Sequence, residues 1–159
     1  MIETFGDNPA RRWRFFSDTV MGGVSSGRLQ FDSDHDRRWA RMTGTVSTAN
    51  NGGFIQMQAR FEAPLPAGLD GVRLVARGND EGYFIHLRRA GEAMPTAFYR
   101  AGFDVTSGWR ETRLPFALFT ASNQRIPASV AGTDIASIAV VAFGKDHGVD
   151  ISVSEIGFY

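Results

Sequence analysis

The sequence FIQMQARF, residues 54–61, alternates apolar and polar side chains. Successive side chains of a β-strand point to opposite faces, so a period of two places one face in a core and the other in solvent. The same alternation recurs in short segments between glycines, prolines and asparagines. These segments are 13–16, 28–31, 39–46, 72–77, 83–88, 97–105, 109–114, 138–143, 149–153 and 155–159.

The number of predicted strands indicates the fold class. About ten short strands exceed what one flat sheet of a small domain holds, whereas two packed sheets accommodate them. We therefore predict an all-β sandwich that forms one domain over residues 1–159. Proline- and glycine-rich stretches at 64–71 and 121–133 predict loops, and Asn51-Gly52 predicts a type I′ hairpin turn between two strands.

Composition excludes several classes of function. Seventeen basic residues balance 17 acidic ones, so the chain lacks the basic field that nucleic-acid binding requires. It contains no cysteine, which excludes disulfides and a cysteine nucleophile. The first residues do not read as a secretory signal, and no stretch approaches the length of a membrane span. We expect a cytoplasmic protein without membrane insertion.

No motif in the sequence predicts catalysis. Residues 23–27 match the G-x-S-x-G pattern around Ser25, but strand-like alternation follows where a nucleophile elbow needs a helix. The motif is therefore interpreted as a glycine-rich loop, and the chain as a non-enzyme.

Metal sites and cofactors are not predicted either. Asp32, Asp34 and Asp36 alternate like calcium ligands, yet the glycine and distal glutamate of a calcium loop are missing, so a solvated hairpin tip is favoured. The histidines form no zinc-binding pair, and no phosphate-binding loop occurs, so no cofactor is expected.

Polar side chains on the central strands suggest a binding face. If these strands are neighbours, an outward basic face forms, and its arginines suit a carboxylate or phosphate group. Polar outward residues also serve solubility alone, so a plain solvated surface is the alternative. The candidate binding residues are Arg60, Arg73, Arg77, His86 and Arg88, accompanied by Gln56 and Gln58.

The three tryptophans allow two interpretations. Trp13, Trp39 and Trp109 lie within or beside apolar alternations, which favours packing in the core. An exposed aromatic platform for sugars or a partner chain is the alternative.

Two longer segments resemble a known family. SDTVMGGVS at 17–25 and STANNGGF at 47–54 are similar to the signatures of complex I intermediate-associated proteins. Further similarity follows at 75–79, 109–119 and Ile156, and the resemblance spans residues 13–159. It implies a jelly-roll sandwich like galactose-binding domains and a non-catalytic role in assembling NADH:ubiquinone oxidoreductase. Without a transit segment, the chain resembles a bare, bacterial version.

The signature residues allow a structural and a functional interpretation. Their glycines and short polar side chains suit tight turns, and the two loops could also meet at one end of the sandwich as a recognition site. These residues are Ser17, Asp18, Met21, Gly22, Gly23, Asn50, Asn51, Gly52 and Gly53.

The resemblance orders the functional hypotheses. It implies a protein partner, namely complex I subunits or assembly intermediates held through a sheet face or the signature loops. The alternative is a domain that binds a carbohydrate or a small anionic ligand on a concave sheet face.

Overall fold

The computed structural model describes residues 2–159 and contains twelve strands joined by loops and short 3-10 turns. Within that part of the chain, no helix has the length and apolarity that crossing a bilayer requires. The strands are β1 Ile2–Glu3, β2 Trp13–Ser17, β3 Ser26–Ser33, β4 Arg38–Val46, β5 Phe54–Arg60, β6 Gly71–Gly78, β7 Gly82–Arg89, β8 Tyr99–Asp104, β9 Arg110–Pro115, β10 Thr120–Ala121, β11 Ile135–Phe143 and β12 His147–Phe158.

The strands form two antiparallel sheets. The first has the order β3-β4-β12-β6-β9, with β1 added to β12, and the second has the order β10-β8-β7-β11-β5-β2. Every pairing in both sheets is antiparallel. The predicted all-β sandwich is therefore confirmed.

Alternating side chains from the two sheets share one apolar core. The first sheet contributes Met42, Leu74 and Ile151, and the second contributes Met57 and Ile85, all fully buried. Because these residues occupy every second position of their strands, the other positions face outward from the sandwich. This alternation produces two outer faces that point in opposite directions.

Strand β12 is the longest and occupies the centre of the first sheet. It pairs with β4 over residues 147–153 and with β6 over residues 151–158, and β1 pairs with it at 156–157. A register shift between Val153 and Glu155 leaves Ser154 unpaired on the β6 side. The two strands predicted at 149–153 and 155–159 are thus one strand that contains a β-bulge.

The hairpin predicted at Asn51-Gly52 is wrong. The segment connects β4 of the first sheet to β5 of the second, so the flanking strands do not pair with each other. The left-handed pair is Asn50 (φ 57°) and Asn51 (φ 59°), one position earlier than predicted. Asparagine tolerates this backbone region better than most residues, so the turn is a crossover between sheets.

The tryptophans divide between the core and the surface. Trp13 is buried, as predicted, but Trp39 and Trp109 lie half-exposed on the outer face of the first sheet, 5.8 Å apart between ring centroids. The Arg77 guanidinium lies 4.5 Å from the Trp109 centroid and 5.1 Å from that of Trp39. Core packing was therefore the wrong prediction for these two residues.

Candidate functional site

The two signature segments meet at one end of the sandwich around the Asp18 carboxylate. Asp18 is fully buried and opens a 3-10 turn, Asp18–Met21, directly after β2. Its Oδ1 accepts a hydrogen bond from the Ser25 N–H at 2.9 Å, and its Oδ2 accepts from the Ser25 hydroxyl at 2.5 Å. Oδ2 also accepts from the N–H groups of Gly53, at 2.6 Å, and Phe54, at 3.2 Å.

These hydrogen bonds determine the ionisation of Asp18. Burial by itself would raise the pKa of the carboxyl, but the donors on Ser25, Gly53 and Phe54 hold it below its ordinary value. The carboxylate is therefore charged at neutral pH, and it joins the two loops without a cationic side chain.

Two glycines make room for the carboxylate. A methyl group on Gly23 would lie 2.5 Å from Asp18 Oδ1, and one on Gly52 would lie 2.5 Å from Oδ2. Gly22 ends the 3-10 turn with φ 85°, a backbone conformation that glycine adopts without strain. The signature glycines are thus explained by close packing around Asp18 and by one left-handed turn end.

Other signature residues complete the junction. The Ser17 hydroxyl accepts a hydrogen bond from the Thr19 N–H at 3.4 Å, and the Asn50 side chain donates to the Gly22 carbonyl at 3.3 Å. The two signature loops are thus in contact at one end of the sandwich.

Three apolar side chains project from this junction. Val20 is 74% exposed, Met21 60% and Val24 53%. Val20 and Met21 lie in the 3-10 turn that begins at Asp18, and Val24 directly precedes Ser25, which is hydrogen-bonded to Asp18. We call these three residues the apolar tip. Of them, only Met21 was among the predicted site residues, because solvent exposure of Val20 and Val24 cannot be read from a valine.

Ser25 does not have the surroundings of a nucleophile. It is buried, and its hydroxyl donates to Asp18 and accepts a hydrogen bond from the Ser47 N–H at 2.9 Å. Strand β3 begins at the next residue. The G-x-S-x-G segment therefore belongs to the junction.

The acidic run after β3 forms a turn. Asp34 Oδ1 accepts hydrogen bonds from the N–H groups of Asp36, at 3.0 Å, and Arg37, at 2.9 Å. Asp32 accepts a hydrogen bond from Gln30 at 2.9 Å. Over residues 2–159, no three histidine, aspartate or glutamate side chains are grouped as metal ligands.

The predicted basic face is wrong as a single surface. Arg73 and Arg77 lie on β6 of the first sheet, whereas Arg60, His86 and Arg88 lie on β5 and β7 of the second. The strands alternate as predicted, but the two groups occupy opposite sides of the sandwich. Arg73 is bonded to Glu111 at 3.1 Å and to Glu155 at 3.3 Å, so it is neutralised locally.

The second sheet brings together the other predicted residues. Arg60 and Arg88 both lie opposite Ser137 of the intervening strand β11, and His86 and Gln58 both lie opposite Ala139. The register also adds Arg100 of β8, which pairs with His86 and was not among the predicted site residues. Two cavities of about 390 and 560 Å³ lie over this outer face.

Comparison with known structures places the fold among jelly-roll β-sandwiches of the galactose-binding type. A family 11 carbohydrate-binding module from a cellulosomal cellulase of Clostridium thermocellum superposes with a TM-score of 0.78 at 12% identity, covering 97% of this chain and 90% of that one. The family 11 module from the same organism in complex with a β-1,3-1,4-mixed-linked tetrasaccharide gives a TM-score of 0.71 at 13% identity, covering 97% and 91%. A CBM4 structure gives 0.57 at 12% identity, covering 98% and 95%.

The sequence itself assigns the family. The model of the family described as complex I intermediate-associated protein 30 matches residues 4–149, and the chain belongs to that family. A search of curated proteins finds no match. The resemblance in the two signature segments is thereby confirmed, and the signatures lie at the Asp18 junction.

Proposed function

We propose that this chain is a non-catalytic protein-interaction domain that holds subunits or intermediates of respiratory complex I during assembly, with the apolar tip as a contact surface. Family membership supports complex I as the partner. The observation that supports the apolar tip as the contact surface is the exposure of Val20, Met21 and Val24 on a loop anchored by the buried Asp18 carboxylate. Apolar side chains grouped on a rigid surface favour contact with another protein.

The apolar tip gives a direct test. Val20→Ser, Met21→Ser and Val24→Ser together remove three exposed apolar side chains without touching the core, so stability is expected to change little. Affinity capture from native cells is expected to recover complex I subunits with the unmodified chain and at least tenfold less with the variant, as a loss of about 1.4 kcal/mol in binding implies.

Leu118→Ser is the matched control. Leu118 is 57% exposed but lies in the turn that follows β9, so this variant is expected to retain capture. Recovery of no complex I subunit by the unmodified chain, together with normal complex assembly in a deletion strain, would overturn the proposal.

The second candidate is a domain that binds a carbohydrate or a small anionic ligand on the outer face of the second sheet. The two cavities there favour it, and amide side chains such as Gln56 and Gln58 can both donate to and accept from hydroxyl groups. A structural neighbour is solved with a mixed-linked tetrasaccharide, which supports the candidate through the fold alone.

Thermal unfolding in the presence of candidate ligands tests this second function. A ligand at 100 times its dissociation constant stabilises the native state by about 2.7 kcal/mol, so a clear rise in the unfolding midpoint is expected. Mixed-linked tetrasaccharide and small dicarboxylates are suitable probes, and a Gln56→Ala, Gln58→Ala variant is the control. If no probe raises the midpoint, or if the variant responds equally, this candidate fails.

A further inference from the structure

The outer face of the second sheet carries a group of basic side chains with an apolar floor. Arg60 extends from β5, His86 and Arg88 from β7, and Arg100 from β8. Between them, Ala139 and Val141 of β11 are buried although they point away from the core. We call this surface the arginine groove and define it by Arg60, His86, Arg88 and Arg100.

The arginines of the groove have no carboxylate partner, in contrast to Arg12, Arg41, Arg73, Arg89 and Arg113. In the part of the chain that the structure describes, neither Arg60, Arg88 nor Arg100 has a carboxylate oxygen within 4.0 Å. Glu92 lines the same cavity, but it is bonded to Arg89 at 3.1 Å and to the Met94 N–H at 3.1 Å. Glu92 acts on Arg88 only from a distance, so none of the three guanidinium groups in the described chain forms a direct ion pair.

The guanidinium groups are positioned by aromatic rings. The Arg88 guanidinium carbon lies 5.7 Å from the Phe98 centroid, and that of Arg100 lies 5.2 Å from Phe84 and 5.4 Å from Phe143. Arg88 also donates to the Met94 carbonyl at 3.3 Å and to the Pro95 carbonyl. Because these contacts already restrain the Arg88 and Arg100 guanidinium groups, the two groups lose less freedom when they bind an anion.

The same contacts disfavour a sugar-stacking surface. A sugar ring stacks on a free aromatic face, and the faces of Phe84, Phe98 and Phe143 are already occupied by arginine or, for Phe98, also by the His86 ring at 4.1 Å. The N–H groups that remain at the guanidinium edges suit carboxylate oxygens.

Mutual repulsion in the groove adds to its affinity for anions. Burial lowers the pKa of His86 to about 3, and the charges of Arg100 and Arg88 contribute, so His86 is neutral at neutral pH. Burial and the nearby charge of Arg60 also lower the pKa of Arg88. An anion bound between these side chains would relieve the repulsion.

The spacing of the arginines matches an extended polypeptide. Arg60 and Arg88 lie two strands apart at the same register, which corresponds to about 10 Å. Arg88 and Arg100 lie one strand and two residues apart, or about 8 Å. Side chains at alternate positions of an extended chain are about 7 Å apart. The remaining difference of about 1 to 3 Å at each step would be spanned by the rotatable bonds of the bound acidic side chains.

We propose that the arginine groove binds an acidic, extended segment of a partner protein, with carboxylates at alternate positions seated on Arg60, Arg88 and Arg100. The proposal rests on the protein-binding function proposed above and adds a second contact surface to the apolar tip. It also assigns the partner a chemical class, because three cationic side chains in a row require three carboxylates to neutralise them.

A synthetic peptide with glutamate at every second position is the probe, and fluorescence anisotropy at low ionic strength measures its binding to the full chain. The variant Arg60→Gln, Arg88→Gln is expected to bind roughly tenfold more weakly or worse, because it loses charge-assisted hydrogen bonds. The variant Arg28→Gln, Arg110→Gln removes the same charge from exposed sites on the first sheet and is expected to retain the affinity within about twofold.

Several outcomes would overturn the proposal. Equal weakening in both double variants would indicate diffuse electrostatic attraction, and equal binding of a glutamine version of the peptide would exclude carboxylate recognition. Binding of a uronate oligosaccharide without binding of the peptide would make the groove a saccharide site. Because Arg88 is half-buried, Arg60→Gln alone serves as a second variant, with a smaller loss in the same direction.

The same probe separates this proposal from the proposed function. The apolar-tip variant is expected to bind the peptide normally although it fails to capture complex I subunits. Peptide binding without any capture would contradict the assembly role and leave the groove intact, whereas capture without peptide binding would contradict the groove alone.

Discussion

Replacing Asp18 with asparagine is expected to lower the free energy of unfolding by about 3 to 4 kcal/mol, a large share of the 5–15 kcal/mol typical of a domain. The buried carboxylate accepts four hydrogen bonds, from Ser25, Gly53 and Phe54. In asparagine an NH2 group replaces one of the two carboxylate oxygens. Its N–H donors would then face groups that are themselves hydrogen-bond donors. Donors buried without an acceptor are costly, and donors that face a charged oxygen contribute more than those that face a neutral one.

Urea denaturation at neutral pH measures this effect. Asp150→Asn is the matched control, because Asp150 is also paired, with Arg41 at 2.8 Å, but both side chains are 42% exposed. A surface pair of this kind contributes about 0 to 1 kcal/mol. If Asp18→Asn and Asp150→Asn lower the free energy of unfolding equally, the Asp18 junction stabilises the fold no more than a surface ion pair does.

The pH dependence of stability provides a second measurement on Asp18. Its pKa is lower in the folded chain than in the unfolded chain, so its contribution is complete above about pH 3.9, the value of an unperturbed aspartate. The contribution declines as the pH falls through the folded-state value. The difference in stability between the unmodified chain and Asp18→Asn should therefore shrink in acid and stay constant from pH 5 to 7, roughly the range above both values.

The second large effect is expected from Gly52→Ala, which should lower the free energy of unfolding by about 1 to 3 kcal/mol. The added methyl group would lie 2.5 Å from Asp18 Oδ2, and Asp18 cannot withdraw because its hydrogen bonds fix it. Gly148→Ala is the control, since nothing lies within 4 Å of the added methyl there. Thermal or urea unfolding compares the two variants.

A double variant tests the reason for this effect. In an Asp18→Ala background the carboxylate is absent, so Gly52→Ala is expected to cost much less than it does alone. Residues in contact show such non-additivity, whereas independent sites add. Additive costs would mean that the glycine is required for some property of the backbone and not for space beside Asp18.

Alternation along the chain predicted most strands because it depends on each strand alone. At residues 54–61 the period of two assigns Ile55, Met57 and Ala59 to the core, and the structure agrees. The same signal does not report which sheet a strand joins. The candidate residues of β6 were therefore grouped with those of β5 and β7, although β6 pairs with β12 and β9 in the other sheet.

Surface aromatic residues were misassigned for a related reason. Trp39 occupies an outward position of β4, between Arg38 and the buried Ala40, but hydrophobicity alone favoured burial. Arg77 contacts both rings and lies more than 30 positions after Trp39 and more than 30 positions before Trp109. Arg37 also contacts Trp109. Only a sheet register brings these residues together.

The candidate site was predicted in part. The signature segments identified both loops of the junction, and Arg60, His86 and Arg88 were named as binding residues. Arg100 carried a usable signal, since the 97–105 alternation places it between the buried Tyr99 and Ala101. The sequence contained no comparable signal for the donors to Asp18. Three of the four are backbone N–H groups, which every sequence position except proline supplies.

The central place of β12 affects how this protein can fold as it is synthesised. β12 follows all other strands in the chain, yet β4 and β6 have no direct pairing with each other and both pair with it. A nascent chain that still lacks these residues can assemble β5, β7 and β11 while β4 and β6 keep unpaired edges. Such edges favour aggregation or binding by chaperones at the ribosome. Removing a few residues from β12 should therefore lower the yield of native protein more than removing the same number of residues from an edge strand.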